Sequence, residues 1–236
     1  MTLSHLKTGE TVPIAHRAIT DTQKQTRRAD ILRVAEQCFP LSPYGAVSMA
    51  EIAAKAGVAK GTLYLYFRSK EELFLAIYEE QMDGWFDELD RELKLGRSGA
   101  SIAGFVQYLG ESLGRRPQLL QLIAILHTVL EQNLDHATAR RFKTWLKGRI
   151  ETSGRLLEAY LPFLTAGKGS ALLLKVDALV IGFQHLAEPS GVMREVLAEP
   201  DMELFRVELQ KQLLDTVSTL LMGLAYEAKY KQGTGG

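Results

Sequence analysis

Two short apolar strips that meet at a glycine, between Ser48 and Phe67, constrain this chain more than any other feature. Ile52, Ala53 and Ala56 stand at i, i+1 and i+4, which gives one helix a face to bury; Leu63 and Phe67, four apart, do the same for a second. Gly57 falls between them, where left-handed backbone ends a helix most easily, and Val58 plugs the corner. Ser48 and Glu51 form an S-x-x-E capping box, the hydroxyl accepting from an N–H three residues on and the carboxylate reaching back. Small Ala53 lets the following helix cross closely.

This layout is a helix-turn-helix, a device that offers its second helix to the major groove of DNA. The second helix, about 59 to 66, carries Lys60, Gly61, Thr62, Tyr64 and Tyr66 mainly on sides other than that of Leu63. A cation, a hydroxyl, two phenols and a glycine that permits close approach are the groups a duplex reader needs. The chain turns at Arg68 and restarts at a second capping box, Ser69-Lys70-Glu71-Glu72. Lysine in a first helical turn opposes the helix dipole, a penalty that a neighbouring phosphate reverses.

From Arg27 to Leu75 the chain resembles the N-terminal DNA-binding domain of the TetR family of bacterial transcriptional repressors. The resemblance is carried by Arg28-Ala29-Asp30-Ile31-Leu32 with Ala35 and Phe39, Ala50-Glu51-Ile52-Ala53, Ala56-Gly57-Val58, Gly61-Thr62-Leu63-Tyr64, Tyr66-Phe67 and Ser69-Lys70-Glu71-Glu72-Leu73. It implies an all-α protein: an N-terminal three-helix helix-turn-helix domain, then a C-terminal helical domain for ligand binding and dimerisation. By position, it implies DNA contacts from Ser48, Ala59, Lys60, Gly61, Thr62, Tyr64, Tyr66 and Lys70. Where the family commonly has serine or threonine this chain has Ala59, which removes a side-chain cap worth about 1 kcal/mol and a hydroxyl within reach of DNA.

The net charge of zero argues against nucleic acid until its distribution is considered. Residues 1–72 hold 10 lysines and arginines against 7 acids, net +3, and residues 73–236 carry net −3. A basic head on an acidic body suits a DNA-binding module with a regulatory partner domain, and so small an excess calls for two heads acting together. Cys38, the only cysteine, lies among Val34, Ala35 and Phe39 and reads as a buried structural thiol. No signal-type segment opens the chain, and no apolar run reaches membrane-spanning length, with Pro117 to Leu130 the nearest; the expectation is a cytoplasmic protein.

The expected organisation is a flexible arm over 1–23, a DNA-binding domain over 24–70, a helical body over 71–230 and a disordered tail over 231–236. Helical periodicity places body helices at about 70–95, 102–114, 117–133, 137–161, 171–187 and 201–230. The segment from Ala171 to Ala187 is apolar nearly all round, as in a buried helix, and the last helix carries a stripe of Leu209, Leu213, Val217, Leu220, Leu221 and Leu224. Both look too apolar for the surface of a monomer, and the resemblance implies homodimerisation through these last two helices.

Catalytic signatures are absent, so no enzyme is expected, nor a cofactor or a metal site. Gly167-Lys168-Gly169-Ser170 lacks the ending of a phosphate loop and reads as an interhelix turn. A signal-responsive regulator needs a ligand pocket, which the resemblance places among the middle helices. The candidates are Trp85, Phe86, Phe105, Tyr108, His127, Glu131, Trp145 and Phe183, large apolar surfaces with a few polar handles. The function expected is thus a DNA-binding repressor released by an apolar or amphipathic small molecule. The alternative is a regulator controlled by a protein partner or by its abundance, which a solid interior would favour.

Overall fold

The computed structural model describes residues 14–39, 44–96 and 99–233. The chain divides after Arg68 into two compact units, and no strand forms among the described residues.

The first unit holds α1 (Ile14–Cys38), α2 (Met49–Lys55) and α3 (Lys60–Tyr66). Its core is Ile31, Leu32, Ala35, Cys38 and Phe39 packed with Val47, Met49, Ile52, Ala53, Leu63 and Phe67. The Arg28 guanidinium lies 5.1 Å over the Phe67 ring. The corner between α2 and α3 is a Schellman closure: Gly57 has φ +65°, Val58 N–H donates to Ala53 O at 3.0 Å and Gly57 N–H to Ala54 O at 3.2 Å. Only half of the expected capping box forms. Ser48 Oγ accepts from Glu51 N–H, while the Glu51 carboxylate accepts from Lys55 Nζ at 2.8 Å instead of reaching back. The helix partner, one turn on, offers a charge where the backbone offers only a dipole.

The stretch expected as an arm divides differently. Residues 1–13 lie outside the described residues, and α1 takes in 14–23, a run with several good helix formers. At the other end α10 continues to Gly233, so of the expected tail only 234–236 lie outside the described residues.

The second unit is built from α4 (Lys70–Leu95), α5 (Ile102–Gly114), α6 (Pro117–Ile125), α7 (His136–Tyr160), α8 (Lys168–Ala187), α9 (Gly191–Leu197) and α10 (Leu209–Gly233). α4 packs on α6 and α7; α8 packs on α6, α7 and α10; α10 also crosses α5. Three departures from periodicity appear. The helix expected over 117–133 breaks after Ile125 into a π-helical turn, Leu126–Leu130, closed by Glu131 N–H to Leu126 O at 3.0 Å. The helix expected from 201 starts at Leu209, because Pro200–Phe205 forms a 3-10 turn, and α9 precedes it where only a connection was expected. Neither α9 nor the 3-10 turn buries a residue.

The α7–α8 crossing explains two glycines. A Cβ on Gly154 would lie 2.6 Å from the Ser170 nitrogen, and one on Gly169 would strike the Gly154 carbonyl. Gly169 and Ser170, expected in a plain turn, thus belong to the first turn of α8 and sit against the α7 backbone. Gly169 N–H donates to Glu158 Oε1 at 2.9 Å.

α8 is long and apolar enough to cross a bilayer, contrary to the sequence expectation, yet it packs on three helices of its own unit. It is not buried all round: Leu174, Ala178, Gly182 and Leu186, each four residues apart, are all exposed. On α10 the expected stripe turns inward, with Leu213, Val217 and Leu221 buried, and the outward residues are Met222, Tyr226 and Tyr230.

Gly154→Ala should lower stability by about 3 kcal/mol, since backbone rather than a flexible side chain blocks the methyl. Chemical denaturation of the full chain measures this.

Candidate functional site

In the first unit the site is the outer face of α3. At about 100° per residue, a helix that turns Leu63 inward puts Gly61 and Leu65 opposite it, with Thr62 and Tyr64 on the flanks. Lys60, Gly61, Tyr64 and Leu65 are exposed, Leu65 at 84%, while Thr62 and Tyr66 are half-buried. A Cβ on Gly61 would meet nothing within 4 Å. Tyr66 borders a shallow hollow on α1 with Arg27 and Asp30. Ala59 caps α3 with backbone alone, and the exposed Ser48 already accepts the Glu51 N–H. Leu65 escaped sequence reasoning because a leucine in so short a helix reads as core until Leu63 and Phe67 fix the inward direction.

Lys70 belongs to the second unit, where it opens α4 behind the Ser69 cap, Ser69 Oγ accepting from Glu72 N–H at 3.1 Å. Partial burial lowers the pKa of its ammonium, against the raising influence of Glu71.

The body holds a partly open cavity of about 130 Å³. α4 lines it with Tyr78, Met82, Trp85 and Phe86; α5 to the π-turn add Leu113, Ile123, Leu126 and His127; α7 adds Lys143, Leu146 and Ile150; α8 adds Leu173, Leu174, Val176, Asp177 and Val180. Of the eight pocket candidates, Trp85, Phe86 and His127 are on the wall. Glu131 stands behind it, with Oε2 3.2 Å from His127 Nδ1 and Oε1 2.7 Å from Lys143 Nζ. Phe105 and Tyr108 are buried in α5 away from the wall, Trp145 stacks at 5.9 Å from Phe142, and Phe183 is half-buried on α8, also off the wall. Burial pushes the Tyr108 phenol up to about 12. Trp85 is held by its Nε1–H to Ser112 Oγ at 3.3 Å, which turns its ring edge into place.

The polar part of the wall is compact. Burial raises the Asp177 carboxyl above its ordinary range, opposed by the charges of His127 and Lys143 and reinforced by Glu131. Burial also drives the Tyr78 phenol far upward, with Asp177 and Glu131 adding to it. Among the described residues no three histidine, cysteine, aspartate or glutamate side chains gather as metal ligands.

A helix-turn-helix with an outward second helix, on a chain whose second unit is a helical bundle with a cavity, defines a class of DNA-binding transcription regulators. Residues 31–77 match the bacterial regulatory proteins of the tetR family, and residues 79–228 match the tetracyclin repressor-like C-terminal domain. The chain belongs to the TetR family.

Among relatives, an uncharacterized HTH-type transcriptional regulator, YfiR of Bacillus subtilis, is 32% identical over 95 residues, 40% of this chain and 46% of that protein. The fatty acid metabolism regulator protein of the same organism is 31% identical over 72 residues, 30% of this chain and 37% of that one. The chain therefore spans less than half the length of these curated relatives. The crystal structure of the Bacillus subtilis transcriptional regulator FadR in complex with stearoyl-CoA superposes with a TM-score of 0.53 at 19% identity, over 82% of this chain and 96% of that one, a likeness of fold.

Two variants test these geometries. Gly61→Ala should stabilise the first unit by about 0.5–1 kcal/mol, because the methyl meets open space and alanine favours helix. The folded chain holds the Asp177 proton more tightly than the unfolded chain, so the cost of the carboxylate is absent at low pH and grows as pH rises through the raised folded pKa. Asp177→Asn should therefore raise Tm at neutral pH, with the gap closing toward about pH 4.

Proposed function

We propose that this chain is a cytoplasmic repressor that binds operator DNA as a homodimer and is released by a small apolar or amphipathic molecule. The outer face of α3 carries the reading: Gly61 opens a path for the backbone toward base edges, Leu65 offers apolar contact to thymine methyls, and Lys60, Thr62, Tyr64 and Tyr66 supply polar groups around them. Lys70 adds a phosphate contact.

Pairing through α8 and α10 is supported by their outward faces. Ala178, Gly182 and Leu186 on one helix, and Met222, Tyr226 and Tyr230 on the other, each form an i, i+4 ridge of the kind that interlocks between helices. Two heads on a two-fold axis suit a palindrome with half-sites roughly 34 Å apart.

The body cavity supports control by a ligand over control by a protein partner or abundance. Its 130 Å³ admits a group the size of one aromatic ring; a long acyl chain, like that bound by the relative of known structure, enters only if the helices part. α4 is the coupling element, since four of its side chains wall the cavity and its first residue follows Tyr66 by four positions. A hundredfold loss of DNA affinity requires roughly 2.7 kcal/mol of coupling between the two sites.

Selection of bound fragments from a random DNA pool, with and without a metabolite mixture, tests the reading. On the selected duplex, Tyr64→Phe and Lys70→Ala should weaken binding uniformly, and Lys70→Ala should lower the salt slope by about 1. Gly61→Ala should bind more weakly although it folds more stably, and a Lys60 substitution should shift sequence preference. Protein that ignores every duplex at low ionic strength overturns the proposal.

A further inference from the structure

We propose that the body cavity takes a small lipophilic amine, its ring lodged beside Trp85 and Phe86 and its ammonium received by Asp177. The proposal rests on the reading of this cavity as an effector site, and it adds the chemical class.

Besides the Tyr78 phenol, three ionisable side chains interrupt an otherwise apolar and aromatic wall: His127, Lys143 and Asp177. Two of them are already answered. Glu131 approaches Lys143 Nζ at 2.7 Å and His127 Nδ1 at 3.2 Å, and Lys143 also lies 5.3 Å over the Phe142 ring. Asp177 is different: among the described residues it makes no hydrogen bond and no ion pair, although it is half-buried on the cavity wall. Glu131 takes both cationic side chains, so this end of the cavity is short of a cation bonded to Asp177.

That shortage sorts the candidate ligand classes. A neutral apolar molecule would strip water from Asp177 and leave its charge unpaired, which is costly. An anion would add a third negative charge. A protonated amine pairs with Asp177, and its N–H groups supply donors that the protein does not. The cavity of about 130 Å³ is close to one that holds benzene, which limits the apolar part to roughly a single ring. Trp85 and Phe86, with centroids 5.1 Å apart, give that ring aromatic partners.

Isothermal titration of the full-length protein at neutral pH with benzylamine, benzyl alcohol and benzoate holds the ring constant and varies only the charge. Benzylamine should bind once per chain, at least about tenfold tighter than benzyl alcohol, with benzoate weakest. In Asp177→Asn, its fold checked by Tm, the preference for amine over alcohol should collapse to within about threefold. Lys143→Gln should tighten benzylamine and weaken benzoate further. Equal or tighter binding of the alcohol or benzoate overturns the amine while leaving the cavity a ligand site, as does an amine preference that survives in Asp177→Asn. If none of the three binds, the effector reading of the cavity falls and the amine falls with it.

Discussion

The contact between Gly154 of α7 and Gly169 of α8 sets the terms for the body. Two backbones meet there with no room for a methyl group, so the start of α8 is held tight against α7. One to three turns further on, at Leu173, Val176, Asp177 and Val180, side chains of the same helix instead border open space. A helix clamped at one end and walling a cavity along its middle has a fixed origin for its position and a soft middle contact. α4, α7 and the segment from α5 to the π-turn complete that wall, and buried Phe142 packs edge-on to Tyr78 at 5.8 Å on its aromatic side. The polar side is not built of packed rings but of ion pairs that reach solvent.

The first unit depends on a smaller device. Gly57 turns the chain in left-handed backbone, and the bonds of Gly57 and Val58 back to α2 fix the corner. With Leu63 and Phe67 anchored in the core, the angular position of every other α3 side chain is determined. The outward ridge of Gly61 and Leu65 is a geometric result of that anchoring. A seven-residue helix cannot be stable alone, so its surface is only as well defined as its two anchors.

How much of this was legible from residues alone differs by element. The corner at Gly57 and the helices over 70–95, 102–114 and 137–161 follow from periodicity and caps, and the structure places α4, α5 and α7 within a residue of those spans. The π-turn was not legible, because apolar spacing over 117–133 fits a plain α-helix and nothing marks the extra residue. Pro200 sits where a helix can begin, yet the chain closes a 3-10 turn there and delays α10 to Leu209. For the pocket, size and aromaticity selected Phe105, Tyr108, Trp145 and Phe183, which serve packing elsewhere. Lys143 carried no signal of its own, since a charge on a helix reads as surface until the partner helices are known.

The π-turn at Leu126–Leu130 carries a cost and a use together. Such a turn has poorer hydrogen bonding than the helix it interrupts, and it rotates the downstream side chains by one residue's worth of angle. Removing one residue there would let the segment close as ordinary helix, with a more regular ladder, and would turn the side chains beyond the deletion by roughly 100° relative to α6. In this segment, a more regular backbone and the present placement of side chains beside the cavity pull in opposite directions, and the chain carries the rougher backbone.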